Sequence, residues 1–293
     1  MNGILVVDKP QGFTSFDVVA KLRGICGTKK IGHGGTLDPM ATGVLPVFVG
    51  PAAKAVDLAP NQDKTYEATV LFGTRTDTGD VTGEVLEQSD AVVTEAQLRA
   101  VLPRFTGGQL QTPPMYSAVK VDGKPLYKYA REGKEVARKQ REITIYELEY
   151  LGAGEGENRH RLRVACSKGT YIRTLLEDIG AALGVPATLA ALRRTRAGVF
   201  GLAQAHTLPQ IQAAKDEGRL EGLLLDVGEL FCALPLLAVD AGAEKRLRNG
   251  AAVYGVRGEA GRCRLAANGA FIGLGRLTAD GALQAEKLFV TFE

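Results

Sequence analysis

Cysteine and histidine are scarce in this 293-residue chain, at four and three, and tryptophan is absent. The thiols of Cys26, Cys166, Cys232 and Cys263 lie far apart, with no Cys-x-x-Cys pair and no histidine at zinc-ligand spacing. That pattern speaks against a metal site and predicts reduced, mostly buried thiols. No stretch approaches the roughly 18 uninterrupted apolar residues of a membrane span. The opening Met1 to Pro10 has neither a basic n-region nor a long apolar core. A soluble, cytoplasmic protein is expected. No P-loop and no dinucleotide glycine fingerprint occurs, which weakens any small-molecule enzyme reading.

The hydrophobic fraction of 45% is that of a packed globular protein, and the length suffices for one large domain and a small one. A net charge of +3 says little about partners, but its distribution says more. Residues 116–145 hold eight Lys/Arg against four Asp/Glu, and residues 159–196 hold eight against two, leaving −7 for the rest. Such basic windows are either solvated faces or a surface that tracks nucleic-acid phosphates.

Gly3 to Val7 reads as a short buried strand stopped by Asp8-Lys9-Pro10. Ser15 is placed to cap a helix whose Val18, Val19, Leu22, Ile25 and Cys26 share one face, with Gly27 as terminator. Tyr66, Ala68, Val70 and Phe72 alternate with Thr65, Glu67, Thr69 and Leu71, a half-buried strand ended by the turn-rich run Thr76–Asp80. Thr94 with Gln97 makes a capping box for a helix through Leu102, closed by Pro103. Residues 107–141 read as a long excursion with Pro113-Pro114, a strand at Ala118–Val121, an Asp122-Gly123 turn and a basic stretch from Tyr127 to Lys134. Excursions of this length are functional or mobile as a rule. Leu162, Val164 and Cys166 alternate with Arg161 and Arg163 in a further strand. After it, Ile172, Leu175, Leu176, Ile179 and Leu183 have helical spacing, closed by Gly184 and Pro186.

Strands and helices therefore mix without strict βαβ alternation, which predicts an α+β fold. A boundary near residues 232–237 sets off a small, mostly β tail. There Asp240 caps a helix Ala241 to Arg248, Asn268-Gly269 turns a hairpin between Arg262–Ala267 and Ala270–Leu274, and Lys287–Phe292 forms a last strand. The expected division is 1–235 and 236–293.

The densest punctuation runs from Ile31 to Pro46. Four glycines and a proline within residues 32–43 fix a tight, exposed loop, and Pro39 pushes Asp38 toward an extended backbone that projects its carboxylate. An isolated Asp-Pro pair also simply initiates turns, and His33 fits a packed loop residue as well as a substrate contact.

The run Gly32-His-Gly-Gly-Thr-Leu-Asp-Pro-Met-Ala-Thr-Gly-Val-Leu-Pro46 resembles the signature loop of the bacterial tRNA pseudouridine-55 synthases, the TruB family, and three further blocks match in the same order. Gly3 to Ser15, with Lys9-Pro10, resembles the family's first motif. Lys64-Thr-Tyr66 through Gly73 to Asp80 resembles its tyrosine motif. Ser167 to Arg173, followed by Leu192-Arg-Arg-Thr195, resembles the third. One departure is Gly34, where relatives often have Thr.

The resemblance implies a pseudouridine synthase catalytic domain with a mixed or antiparallel sheet over 1–235, a basic insertion near 107–141, and a PUA-like RNA-binding domain over 236–293. It implies Asp38 as the catalytic aspartate, Tyr66 as the aromatic partner of the target base and Arg173 as the cation paired with Asp38. His33 would contact the flipped nucleotide, and Lys9, Tyr171 and Leu192 would line the pocket. Lys124, Lys128 and Arg131 of the basic insertion are expected to hold RNA phosphates. The implied partner is the T stem-loop of tRNA, with no cofactor, no metal, no membrane and no obligatory protein partner.

The residue types agree with that chemistry. Isomerising uridine needs an ionised carboxylate near C1′, and a guanidinium nearby keeps a buried carboxylate charged. The base must leave its stack, for which an aromatic face is suited. Without the resemblance, Tyr66 reads equally as a core strand aromatic and Arg173 as a surface helix cation. Two rivals remain: one of a different class, a non-catalytic RNA-binding or RNA-folding protein on the same scaffold, and a guide-RNA-dependent synthase of the related archaeal and eukaryotic type, which needs partner proteins.

Overall fold

The computed structural model describes residues 1–60 and 62–290. They group into two compact units, Met1–Pro39 with Gly43–Asn61 and Gly198–Glu293, and Met40–Thr42 with Gln62–Ala197.

In the first unit, the apolar run near the start forms strand Gly3–Lys9, buried almost throughout and antiparallel to Thr42–Val49 from Gly3↔Val49 to Lys9↔Gly43. The predicted helical face of Val18, Val19, Leu22, Ile25 and Cys26 is the buried face of helix Ser15–Cys26. It packs on Leu5, Val7, Leu45 and Val47, and on Leu208 and Ile211 of helix Leu208–Asp216. Burying each such aliphatic side chain contributes roughly 1.5–3 kcal/mol, which holds the helix to the strands. Gly27 ends it at φ 64°, a left-handed conformation that glycine adopts without strain. The cap corrects the sequence reading. Thr14 is the N-cap, because Thr14 and Asp17 form a reciprocal capping box, and Ser15 has no such partner three residues on.

The tail belongs to this first unit. Strand Gly261–Ala267 pairs parallel with Leu236–Val239 and antiparallel with Ala270–Leu277, which pairs in turn with Leu283–Leu288. Asn268 (φ 51°) and Gly269 (φ 77°) make the expected hairpin turn, and Asp240 caps helix Ala241–Arg248. The predicted last strand, Lys287–Phe292, overlaps the observed one at Lys287 and Leu288; residues 291 and 292 lie outside the described residues. Phe231, 1% exposed, stacks on Phe271 and Phe289 at centroid separations of 6.3 and 6.1 Å, so apolar packing joins the stretch before residue 235 to the tail.

The second unit is an antiparallel sheet in the order Ala187–Ala197, Lys64–Phe72, Arg159–Cys166, Arg141–Ala153, Gly107–Gln111. Tyr66, Ala68, Val70 and Phe72 are buried while their alternates are half-buried, as the period of two predicts. Helix Ile172–Leu183 lies against strand Ala187–Ala197. A Cβ on Gly180 would meet the Ala187 Cβ at 2.5 Å, so glycine is what allows this close approach. These elements give the α+β fold, its largest sheet section antiparallel.

The α-helix Glu95–Val101 ends with Leu102 as its C-cap, directly before Pro103 as expected, and Pro103 then lies in the first turn of the 3-10 segment Leu102–Phe105, where its missing N–H costs nothing. Two boundaries differ from expectation. The 107–141 excursion begins and ends inside the sheet, with Gln111 opposite Arg141, so only the residues between them leave it. Thr76–Asp80 is not a bare turn: Thr74–Thr76 pairs with Val85–Gln88, and Asp80 is buried.

Candidate active site

Asp38 is half-buried and set between two anchored peptides. Before it, the Leu37 N–H donates to Ser15 Oγ (2.8 Å) and the Ser15 hydroxyl donates to the Leu37 carbonyl (3.3 Å). After it, the Pro39 carbonyl accepts from the Gly12 N–H (2.8 Å) and from Lys9 Nζ (3.3 Å). The Lys9 ammonium also donates to the Pro10 and Phe13 carbonyls at 2.9 and 2.5 Å, and Lys9 is fully buried. The lysine expected along the pocket thus lies under the loop, where a charge has been taken out of water in exchange for three carbonyl partners. Ser15, read in the sequence as a helix cap, is a loop anchor instead. Its signal was only a buried serine one place past the true cap.

Gly34 has limited space. A Cβ there would stand 3.2 Å from the Phe48 ring, so a bulkier residue needs that ring to give way. Its N–H donates to the Pro46 carbonyl (2.8 Å), tying the loop's two ends. His33 ends strand Ile31–His33 opposite Val47 and is half-buried.

In the second unit, Tyr66 and Leu192 are buried on neighbouring strands, with Leu192 opposite Ala68 and Arg194 opposite Tyr66. Arg173, 4% exposed, is the second residue of helix Ile172–Leu183 and not a surface cation. Its Nη1 donates to the Thr78 carbonyl (2.6 Å), its Nη2 to the Tyr116 carbonyl (2.7 Å), and Nη1 stands 3.8 Å from Asp80 Oδ2. Asp80 was not singled out in the sequence, where it closed a turn-rich run. Its Oδ1 accepts from the Thr78 and Thr82 hydroxyls and the Thr82 N–H, leaving Oδ2 turned to the guanidinium. Tyr116 reaches the same turn, its hydroxyl donating to Asp77 Oδ2 (3.1 Å); desolvation, then that carboxylate, pushes the phenol above its ordinary pKa.

Residues 23–172 match the TruB family pseudouridylate synthase N-terminal domain, and residues 173–231 match the tRNA pseudouridylate synthase B C-terminal domain. The chain belongs to the TruB family. It is 44% identical over 99% of its length to the tRNA pseudouridine synthase B of Aromatoleum aromaticum, spanning 94% of that protein. It is 45% identical over 98% of its length to that of Stutzerimonas stutzeri, spanning 95%. Among solved structures it resembles a Cbf5-Nop10-Gar1 complex (28% identity, 98% of this chain and 85% of that one, TM-score 0.72). It also resembles the archaeal box H/ACA sRNP Nop10-Cbf5 complex (26%, 98% and 86%, TM-score 0.68). As a TruB-family member the chain is an enzyme, a pseudouridine synthase.

No group of three or more potential ligands from His, Cys, Asp and Glu occurs among the described residues. Cys26, Cys166 and Cys263 are buried and Cys232 is exposed. Burial pushes the Cys166 thiol up to about 11, which keeps it protonated and inert at neutral pH. No helix among the described residues is long and apolar enough to cross a membrane.

Within the insertion, Leu126–Arg131 is helical, and the predicted strand shrinks to Lys120–Val121 against Lys124–Pro125. Lys128 and Arg131 are exposed and Lys124 half-buried. Glu132 accepts from Lys124 (2.5 Å) and Lys134 (3.3 Å), and these two donors hold its carboxyl below the usual range. Lys124 lies over the Tyr129 ring at 4.4 Å and Arg131 over Tyr127 at 5.5 Å. Aromatic rings thus brace both cations.

Proposed function

We propose that this synthase converts uridine 55 in the T loop of tRNA to pseudouridine, with no cofactor and no obligatory protein partner. The observation that carries the reading is 44% identity along nearly the whole chain to an enzyme named tRNA pseudouridine synthase B, against 28% to a chain of the Cbf5-Nop10-Gar1 complex. In the reaction the C1′–N1 bond breaks, the base turns, and C5 bonds to C1′; C5 loses a proton while N1 gains one. Nothing is oxidised and no group is carried. Asp38 supplies the carboxylate at C1′, on a loop held still from both sides. Arg173 is the cation paired with Asp38, and Tyr66 gives the extruded base an aromatic face. His33 contacts the flipped nucleotide, Tyr171 and Leu192 line the pocket, and Lys9 shapes it from beneath. A cytoplasmic location fits a tRNA substrate.

The deciding experiment is to incubate the purified chain with an unmodified tRNA transcript in excess chelator, without nucleotide or partner protein. Pseudouridine mapped at position 55 is expected. Dependence on a guide RNA, a partner or a divalent ion with a pre-folded stem-loop would refute this reading.

Residues 236–293 act as a PUA-like RNA grip, and the insertion tracks phosphates through Lys124, Lys128 and Arg131. Replacing Lys124, Lys128, Arg131 and Lys134 together by Ala is expected to weaken RNA binding and to make its log-log salt dependence shallower by up to about 0.9 per lost contact. Because Lys124 and Lys134 already share Glu132, most of that change comes from Lys128 and Arg131. An unaltered slope means a solvated surface. The same titration on Lys245→Ala/Arg246→Ala reads the tail.

A further inference from the structure

Helix Ile172–Leu183 carries Arg173 in its first turn, and its N-cap, Tyr171 (φ −100°, ψ 110°), makes no side-chain capping bond. An aromatic residue is a poor cap, because it offers no short oxygen to the exposed N–H groups of the first turn. The helix start is fixed from another element. Gln111 Oε1 accepts from the Tyr171 N–H (2.8 Å), and Gln111 Nε2 donates to the Tyr171 carbonyl (3.0 Å). That carbonyl also accepts the helix's own first bond from the Leu175 N–H (3.1 Å). Both polar atoms of the Gln111 amide are thus bonded to the backbone of one residue, sixty residues away in the chain. Gln111 is 3% exposed and is the last residue of strand Gly107–Gln111, opposite Arg141. The basic insertion leaves the sheet at this pair, and a few residues further on the Tyr116 carbonyl receives Arg173 Nη2.

We propose that Gln111 is a positioning residue for the isomerisation: its amide clasps the Tyr171 backbone through its N–H and its carbonyl, fixes where the helix begins, and so sets the Arg173 guanidinium and the Tyr171 ring in place. The root of the insertion and the site cation are joined through this clasp. A glutamine suits the role because its primary amide offers donor and acceptor side by side at this length at every pH. The inference rests on the catalytic reading of Asp38 and Arg173 above. It adds a residue whose side chain acts through the Tyr171 backbone.

The test is Gln111→Met, which keeps length and burial while losing both bonds, with Gln111→Glu as a second variant, assayed over a range of pH because only its ionised form keeps the acceptor alone. Single-turnover pseudouridine formation at saturating tRNA, tRNA affinity and thermal unfolding are measured for each. The rate is expected to fall about 10–10²-fold, the scale of a misplacement near 1 Å, with affinity within about threefold of the parent. If Gln111→Met fails to fold, Gln111→Glu carries the comparison. A rate within about twofold of the parent overturns the proposal, and so does a loss of rate matched by an equal loss of affinity. Asp38→Asn in the same series separates the two failures. If it turns over normally, the catalytic reading is wrong; if it is inactive while Gln111→Met is unimpaired, only the positioning role is lost.

Discussion

Asp38→Asn is expected to bind tRNA nearly as tightly as the parent while turning over more slowly by more than the roughly 10²–10⁴-fold attributed to one positioned acid or base. The carboxamide keeps the size of the side chain. The loop that carries it is held through main-chain atoms of Leu37 and Pro39, by Ser15, Gly12 and Lys9, none of which depends on the carboxylate. Binding and chemistry should therefore separate. What disappears is the charge and the nucleophilic oxygen together, and both are needed where the C1′–N1 bond breaks. The comparison is single-turnover pseudouridine formation alongside equilibrium binding. An Asn variant within about tenfold of the parent rate removes Asp38 from the mechanism.

Local periodicity makes much of the fold legible in the sequence. The helix face from Val18 to Cys26, the strands through Tyr66 and Leu162, the Thr94–Gln97 box and the Asn268-Gly269 turn are each set by residues within one turn or one pleat of each other. What the sequence concealed are contacts between distant segments. Asp80 looked like turn chemistry because its neighbours are threonines and glycine, and nothing nearby announces the guanidinium of a residue 93 positions on. Ser15 looked like a cap because serine favours that place, yet the adjacent Thr14 had the acidic partner the motif requires. Gln111 carried no signal, since a glutamine at a strand end is ordinary until its amide is seen against Tyr171. The resemblance supplied Asp38, Tyr66 and Arg173, while the residues that hold Asp38 and Arg173 in place came from the geometry.

Arg173→Ala is expected to damage both stability and turnover, and the two effects can be told apart. In the parent the guanidinium is buried with two carbonyls and the Asp80 carboxylate around it, so truncation leaves a buried acid without that cation and the Thr78 and Tyr116 carbonyls short of a donor. Breaking a buried pair from one side costs about 3–5 kcal/mol, which denaturant unfolding reads directly. On the catalytic side, a carboxylate that loses a neighbouring cation takes up its proton at higher pH. If Arg173 is the cation that serves the catalytic carboxylate, as proposed, the acid limb of the single-turnover rate profile moves upward in the variant, and activity is lost first at the acid end. Arg173→Lys sharpens the comparison. A single ammonium keeps the charge but cannot reach both carbonyls and the acid in the geometry of a planar fork. It is expected to restore part of the acid limb and little of the stability. Restoration of stability with the acid limb still displaced would reverse these assignments, and an acid limb identical in all three proteins would take Arg173 away from the catalytic carboxylate.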